Sequence, residues 1–155
     1  FKKTKFYSMG YIKIWIHLVW ATKRREPVLT KSVRLKLFPH IRQNAKEKNI
    51  HIDFINGHVE HVHALISLNA DQCISKVTQL IKGESSHWIN KNKLTPEEFE
   101  WQDDYFAVSV SESDINRVRQ YIKNQERHHE KKSFQEEYEE FIEKFGFVVL
   151  EDSFG

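Results

Sequence analysis

A single cysteine, Cys73, stands among 155 residues. No disulfide can close within the chain, and a cysteine-rich zinc site is excluded. Nowhere does an apolar run approach the roughly 18 residues that a membrane-spanning helix needs, and no signal-peptide pattern opens the sequence. These absences suit a reducing cytoplasm, which is the expected compartment, with no membrane partner. There is no internal repeat and no sign of a second domain. What is present is a chain of the length that folds as one domain around a real core, with aromatic residues at 13%. The only methionine, Met9, follows a basic stretch, so residues 1–10 read as an N-terminal extension or as sequence upstream of the natural start. The folded domain is expected over 11–146 and a C-terminal tail over 147–155.

The formal net charge of +2 conceals a division. Before Thr95 the chain carries 17 Lys and Arg against 6 Asp and Glu, and from Thr95 onward it carries 7 against 16. Clusters such as Lys23-Arg24-Arg25, Arg34 with Lys36, and Lys46 with Lys48 suit a phosphate backbone, whereas the glutamates of the last segment are expected to face solvent or a partner. Charge runs are more often plain solvated faces, so charge alone does not establish a nucleic-acid partner.

The most informative stretch is His61-Val62-His63, inside the run HVEHVHALISL over 58–68. Strand alternation puts both imidazoles on one face of a sheet and sends Val62, Ala64, Ile66 and Leu68 to the other, where an apolar row anchors the strand. Two fixed nitrogens on one face make a metal clamp. Alone, such a pair is more often structural or incidental, so the reading depends on further ligands and a nucleophile.

Residues 11–20 alternate, with Ile12, Ile14, Ile16, Leu18 and Trp20 on one face and Lys13, Trp15 and His17 on the other, and are expected to form a first strand. Glu26-Pro27 breaks it. Thr30 or Ser32 is placed to cap a helix through about Lys48, with Pro39 distorting its middle. A second strand is expected over 50–55, joined to the histidine strand by the turn residues Asn56-Gly57 as an antiparallel hairpin. A helix over 71–90 buries Ile74, Val77, Leu80, Ile81 and Trp88. The acidic stretch 95–104 reads as a loop and 105–110 as the fourth strand, after which Ser111 or Ser113 caps another helix. Phe134, Tyr138, Phe141 and Phe145 recur at helical spacing and define an amphipathic last helix ended by Gly146. The order predicts an α+β fold: a ferredoxin-like (RRM-like) split βαβ antiparallel sheet with additional C-terminal helices. In that plan both early helices cover one face and leave His61, His63, His17 and Trp15 on the other.

The further groups lie in the helix after the fourth strand. Ile115, Val118 and Ile122 recur at three and four, and Tyr121 and Gln125 stand one turn apart, so a phenol and a carboxamide project from the same side. That suits a nucleophile beside a metal ligand. The competing reading makes Tyr121 a wider core stripe and Gln125 a solvated helix residue.

On these residues the chain resembles the single-tyrosine HUH transposases of small bacterial insertion sequences, the IS200-like transposases. The name describes two histidines flanking a hydrophobic residue, here His61-Val62-His63. The resemblance continues, in order, through 17–23 (HLVWATK), Asn56-Gly57, 81–86 (IKGESS), Trp101, 105–109 (YFAVS) and 121–129 (YIKNQERHH), and covers roughly 11–145. It implies a DNA transposase that nicks and rejoins single strands at hairpin-bearing element ends, with magnesium or manganese, commonly as a homodimer. Whether the tyrosine serves its own subunit or the other is left open.

Under that reading Tyr121 attacks the scissile phosphorus, forms a covalent 5′-phosphotyrosine and leaves a free 3′-hydroxyl, while His61, His63 and Gln125 offer two nitrogens and an oxygen to the metal. By ligand type alone such a site takes zinc, nickel or manganese as readily as magnesium. A tyrosine of pKa about 10 is only roughly one part in a thousand ionised at pH 7, and the metal, Lys123 or a histidine could assist. His17, His128 and His129 are accessory candidates. Lys23, Arg24, Arg25, Lys82 and Ser85 are candidate DNA contacts. The stretch 82–86 lacks a phosphate-loop pattern; it reads as a break in the second helix, and the resemblance suggests that it touches DNA. Competing readings are a host-adopted endonuclease acting on hairpin repeats, a non-catalytic ferredoxin-like nucleic-acid-binding module, and a metal-sensing regulator.

Overall fold

Four strands, β1 (Trp15–Ala21), β2 (His51–Gly57), β3 (His61–Ser67) and β4 (Phe106–Val110), form one antiparallel sheet in the order β2-β3-β1-β4. The structure is a computed structural model and describes residues 11–145. Helix α1 (Lys31–Glu47) links β1 to β2, and α2 (Ile74–Lys91) links β3 to β4. Three helices follow: α3 (Ile115–Lys123), α4 (Gln125–His129) and α5 (Phe134–Phe145). This is the expected ferredoxin-like arrangement with helices added at its end. Residues 1–10, the tail 147–155 and Gly146, expected to stop the last helix, lie outside the described residues.

Period-two alternation in the central strands sends apolar side chains to both faces of the sheet. Leu18, Trp20, Val62, Ala64 and Ile66 join one cluster with Val33, Leu37, Ile41 and Ala45 of α1 and Val77, Ile81 and Ile89 of α2. The opposite face is closed as well. Leu65 packs with Phe54, Trp15 and Val110 against Ile115, Val118 and Ile122 of α3, while Val19, Ala21 and Phe106 pack against Phe134 of α5. Complete burial of a side chain such as Leu65 or Ile122 is worth about 1.5–3 kcal/mol, so α3 is held to the histidine face by ordinary apolar packing.

Local details differ from the sequence reading for identifiable reasons. The first strand starts at Trp15, not at 11, because both neighbours stop there: Ser67 of β3 and Val110 of β4 lie opposite Trp15. Alternation is a local signal, but a strand needs a partner backbone. Helix α1 starts at Lys31 with the Thr30 hydroxyl accepting from Val33 N–H, and it continues through Pro39, which is exposed. Helix α2 starts later than expected, at Ile74, and runs unbroken through Gly83, where a Cβ would meet nothing within 4 Å. Ser111 heads a short 3-10 turn (Glu112–Asp114), and its hydroxyl bonds Asp114 instead of capping α3.

Asn56-Gly57 is not the turn. Both residues belong to β2, opposite His63 and Val62, and the chain reverses at 58–61, where His58 N–H donates to the His61 carbonyl. Asn56 sends its side-chain amide to the Ile122 and Lys123 carbonyls at the end of α3. Gly57 is needed for space: a Cβ there would stand 2.2 Å from the His61 carbonyl oxygen and 3.0 Å from Val62 Cα, both backbone atoms. We expect Gly57→Ala to lower stability by about 1–3 kcal/mol through overpacking against an immovable neighbour, measured by urea denaturation. Unchanged stability would show that the hairpin has room to yield.

Candidate active site

β3 delivers His61 and His63 to the face that α3, α4 and α5 cover, and both rings are fully buried. Each is oriented through its second nitrogen. His61 Nδ1 lies 2.7 Å from Glu60 Oε1, an acceptor, so Nδ1 carries a hydrogen and Nε2 points into the cluster. His63 Nδ1 lies 2.8 Å from His17 Nε2 on the neighbouring strand. Burial is the main cause that lowers His17 from 6.5 to about 3 and His63 from 6.5 to about 4; Glu137 opposes the shift in both. These two rings are therefore neutral and share one hydrogen between facing nitrogens.

α3 ends at Lys123, and the helical path pauses at Asn124 before α4 begins at Gln125. Asn56 takes up carbonyls freed by that break. Tyr121 and Gln125 thus reach the same cluster from two helices instead of one uninterrupted turn. The fully buried Gln125 places Oε1 3.0 Å from His61 Nε2 and 3.1 Å from His129 Nε2, and its Nε2 donates to the Tyr121 carbonyl. The Tyr121 ring lies 5.6 Å from that of His63 and 6.1 Å from that of His17, centroid to centroid.

The residue that sequence reasoning missed is Glu137 of α5, only 2% exposed. Expected with the other glutamates to face solvent or a partner, it instead reaches the centre of the cluster. Oε1 accepts from the Tyr121 hydroxyl and lies 2.9 Å from His63 Nε2, an approach without hydrogen-bond alignment. Oε2 lies 2.7 Å from His129 Nε2 and 3.8 Å from His61 Nε2, again without an aligned bond. Burial alone would raise the Glu137 carboxyl, but the His129 and His63 contacts outweigh it and hold it below the usual carboxylate range. Burial, then the charge and hydrogen bond of Glu137, push the Tyr121 phenol far above its ordinary value. His129 is raised: burial lowers it and the contact with Glu137 prevails. One signal did exist in the sequence. Glu137 stands three residues after Phe134 and four before Phe141, on the apolar stripe itself.

The donor set fits a metal ion. His129 Nδ1 faces the Lys132 carbonyl while its Nε2 faces Gln125 and Glu137 oxygens. His61 likewise faces Glu60 with one nitrogen and Gln125 and Glu137 with the other. In both rings Nε2 faces oxygen atoms of Gln125 and Glu137, an arrangement that a shared metal ion would bridge. Ligand atoms of His61, His129 and Glu137 lie within 4.8 Å of one another. Buried His63 Nε2 and Glu137 Oε2 have no aligned hydrogen bond to satisfy them.

The other candidates are placed as follows. The His128 ring lies 5.1 Å from that of Tyr121, with Nε2 buried and without a hydrogen-bond partner. Lys123 is exposed at the end of α3. Lys23 pairs with Glu100 at 2.5 Å, and Arg24 and Arg25 adopt left-handed backbone angles in a 3-10 turn (Lys23–Arg25). The Arg25 guanidinium lies over the Phe134 and Tyr138 rings. Lys82 donates to the Gln102 and Asp103 carbonyls. Ser85 is wholly buried, donating to Ile81 and accepting from the Trp101 indole, which leaves it no surface to offer a DNA strand.

The neutral His17–His63 pair sets a pH dependence. In the unfolded chain both rings take up protons near 6.5, whereas in the folded chain they resist to about 3 and about 4. The unfolded state then binds more protons, so stability falls as pH drops from about 6.5 towards 4. Thermal midpoints recorded in chelator should decline over that window, and the decline should shrink in a His17→Gln, His63→Gln double variant. A flat wild-type profile would contradict the neutral pair.

The profile of the IS200-like transposases matches residues 10–125. The ISDra2 transposase TnpA of Deinococcus radiodurans is 28% identical over 123 residues, which cover 75% of this chain and 87% of that protein. A solved structure of a Deinococcus radiodurans protein described as a transposase superposes with TM-score 0.61 at 27% identity, over 77% of this chain and 96% of the other. A REP-associated tyrosine transposase bound to a REP hairpin shares the fold, with TM-score 0.57 at 22% identity, over 79% of this chain and 73% of that one. With a profile match that runs from before β1 to Gln125, the chain belongs to the IS200-like transposase family.

Proposed function

We propose that this chain cleaves and rejoins single-stranded DNA at hairpin-bearing element ends through a covalent 5′-phosphotyrosine at Tyr121, with a divalent cation held by His61, His63 and Gln125. The observation that carries the reading is convergence: a phenol from α3, a carboxamide from α4 and two imidazoles from β3 meet in one buried cluster, although some sixty residues separate strand from helices. Tyr121 meets the histidines of its own chain here, and whether it serves its own subunit or the other is a question for the assembled protein. A homodimer is the assembly that the family resemblance implies.

In the reaction, the Tyr121 hydroxyl gives up its proton to a base, its oxygen bonds to the scissile phosphorus and the bond to the 3′ oxygen breaks. That oxygen takes a proton and departs as a free hydroxyl, and the 5′ phosphate stays on the tyrosine. Attack by another strand's 3′-hydroxyl reverses the exchange and reseals DNA. A bound cation would neutralise charge on the non-bridging phosphate oxygens. Magnesium or manganese is the ion that the family resemblance implies. His17 and Glu60 act as positioning residues that aim the His63 and His61 nitrogens. Lys23, Arg24, Arg25 and Lys82 lie on the candidate DNA path, and the REP hairpin held by one structural neighbour supports a hairpin as ligand. The expected site of action is the cytoplasm; no helix among the described residues is long and apolar enough to cross a membrane.

The test uses labelled single-stranded hairpin DNA from the gene's own flanks, with magnesium or manganese, and looks for a denaturant-resistant protein–DNA adduct. Tyr121→Phe should abolish the adduct while hairpin binding persists, and His61→Ala should cut adduct yield by at least about a hundredfold, the loss of roughly 3 kcal/mol of transition-state stabilisation. An adduct that survives Tyr121→Phe would remove Tyr121 as nucleophile. Binding with no adduct under either metal would favour the non-catalytic nucleic-acid module.

A further inference from the structure

We propose that Glu137 is itself a ligand of the same cation, carried in by α5, and that the scissile phosphate takes its place when DNA binds. The inference rests on the metal-centre reading above and adds to it a ligand from outside the strand and tyrosine helix.

α5 is seated by aromatic contacts on either side of Glu137. The Phe134 ring stacks on His61 at 4.1 Å and 8°, and the Phe141 ring meets His17 edge-on at 5.9 Å. Glu137 stands between these two on the same helix face. Its carboxylate then lies within 3.8 Å of three imidazole nitrogens, those of His61, His63 and His129. Two ligands each about 2.0–2.2 Å from one cation are necessarily within roughly 4.4 Å of each other. A carboxylate serving only to dock α5 would sit on aligned donors; here Oε2 is buried and lacks an aligned hydrogen bond, and the His63 approach to Oε1 is misaligned too. That pattern suits bonds to a shared ion better than bonds to hydrogens.

The same carboxylate accepts from the Tyr121 hydroxyl. Its oxygens thus occupy the space that touches both the nucleophile and the metal-binding nitrogens, and a scissile phosphate has to occupy that space for in-line attack. An anionic, acceptor-only oxygen pair resembles two non-bridging phosphate oxygens in charge and reach. Glu137 must therefore withdraw from Tyr121 and from at least one metal position before the phosphorus can be reached.

Manganese titrated into the DNA-free protein, followed by calorimetry and by the electron paramagnetic resonance of the ion, tests this without any catalytic turnover. The near-isosteric Glu137→Gln and the truncated Glu137→Ala should each bind manganese about tenfold or more weakly than wild type, the scale on which metal sites respond to lost coordination partners, with circular dichroism confirming the fold of each. In a Tyr121→Phe background at saturating manganese, adding Glu137→Ala should tighten binding of the single-stranded hairpin oligonucleotide, because no internal carboxylate remains to be displaced. If wild type binds manganese, loses it in His61→Ala and keeps unchanged affinity in both Glu137 variants, this inference fails while the metal-centre reading stands. If wild type binds no manganese, both fail together.

Discussion

A central strand has two faces and no free edge, and the placement of the candidate site depends on how β3 uses them. One face sends Val62, Ala64 and Ile66 into the core under α1 and α2; the other carries His61, His63 and Leu65. Pairing with β1 on one side and β2 on the other locks the register, and a slip of one residue would exchange the imidazoles for the apolar row. The burial that holds the fold together therefore also holds the two histidines in position.

That fixed face is then dehydrated, which sets the electrostatics. With α3, α4 and α5 over them, the imidazoles exchange water for a small number of protein partners. His63 and His17 become neutral, while His129 and Glu137 acquire opposite shifts by facing each other. In a low-dielectric cluster each polar contact counts for more and each unsatisfied atom costs more. The misaligned contacts of Glu137 consequently have physical weight that they would lack on a surface, where water would satisfy the same atoms.

Two irregularities aim the remaining groups. A shift in the β2–β3 register leaves Asp53 as the extra residue between Ile52 and Phe54, so Ile52 and Ile55 both face the α1–α2 core while Phe54 and Asn56 join the histidine face. Asp53 binds the Arg119 guanidinium of α3 through both carboxylate oxygens, at 2.7 and 2.9 Å, and Asn56 holds the carbonyls where α3 stops. The bulge and the helix break work as one device: the first fastens α3 to the sheet edge, and the second lets the chain turn so that Gln125 and His129 approach His61.

By itself the sequence determined the parts governed by short-range periodicity. The alternation in 58–68 separated a chemical face from a packing face, the three-and-four spacing of Ile115, Val118 and Ile122 identified the side of α3 that packs, and the element order specified the four-stranded antiparallel plan. The ordered motifs marked the family. The tertiary structure decided what depends on residues distant in the chain. A strand lasts only as long as its partners, so β1 begins at Trp15. Gly57 is required by a carbonyl four residues away across a hairpin, not by a turn of its own. Glu137 was on the apolar stripe of its helix, yet nothing in α5 alone could say that the surface beneath that stripe would be three imidazoles and a phenol. Helical spacing establishes which side chains share a face; what that face meets is established only when the whole chain has packed.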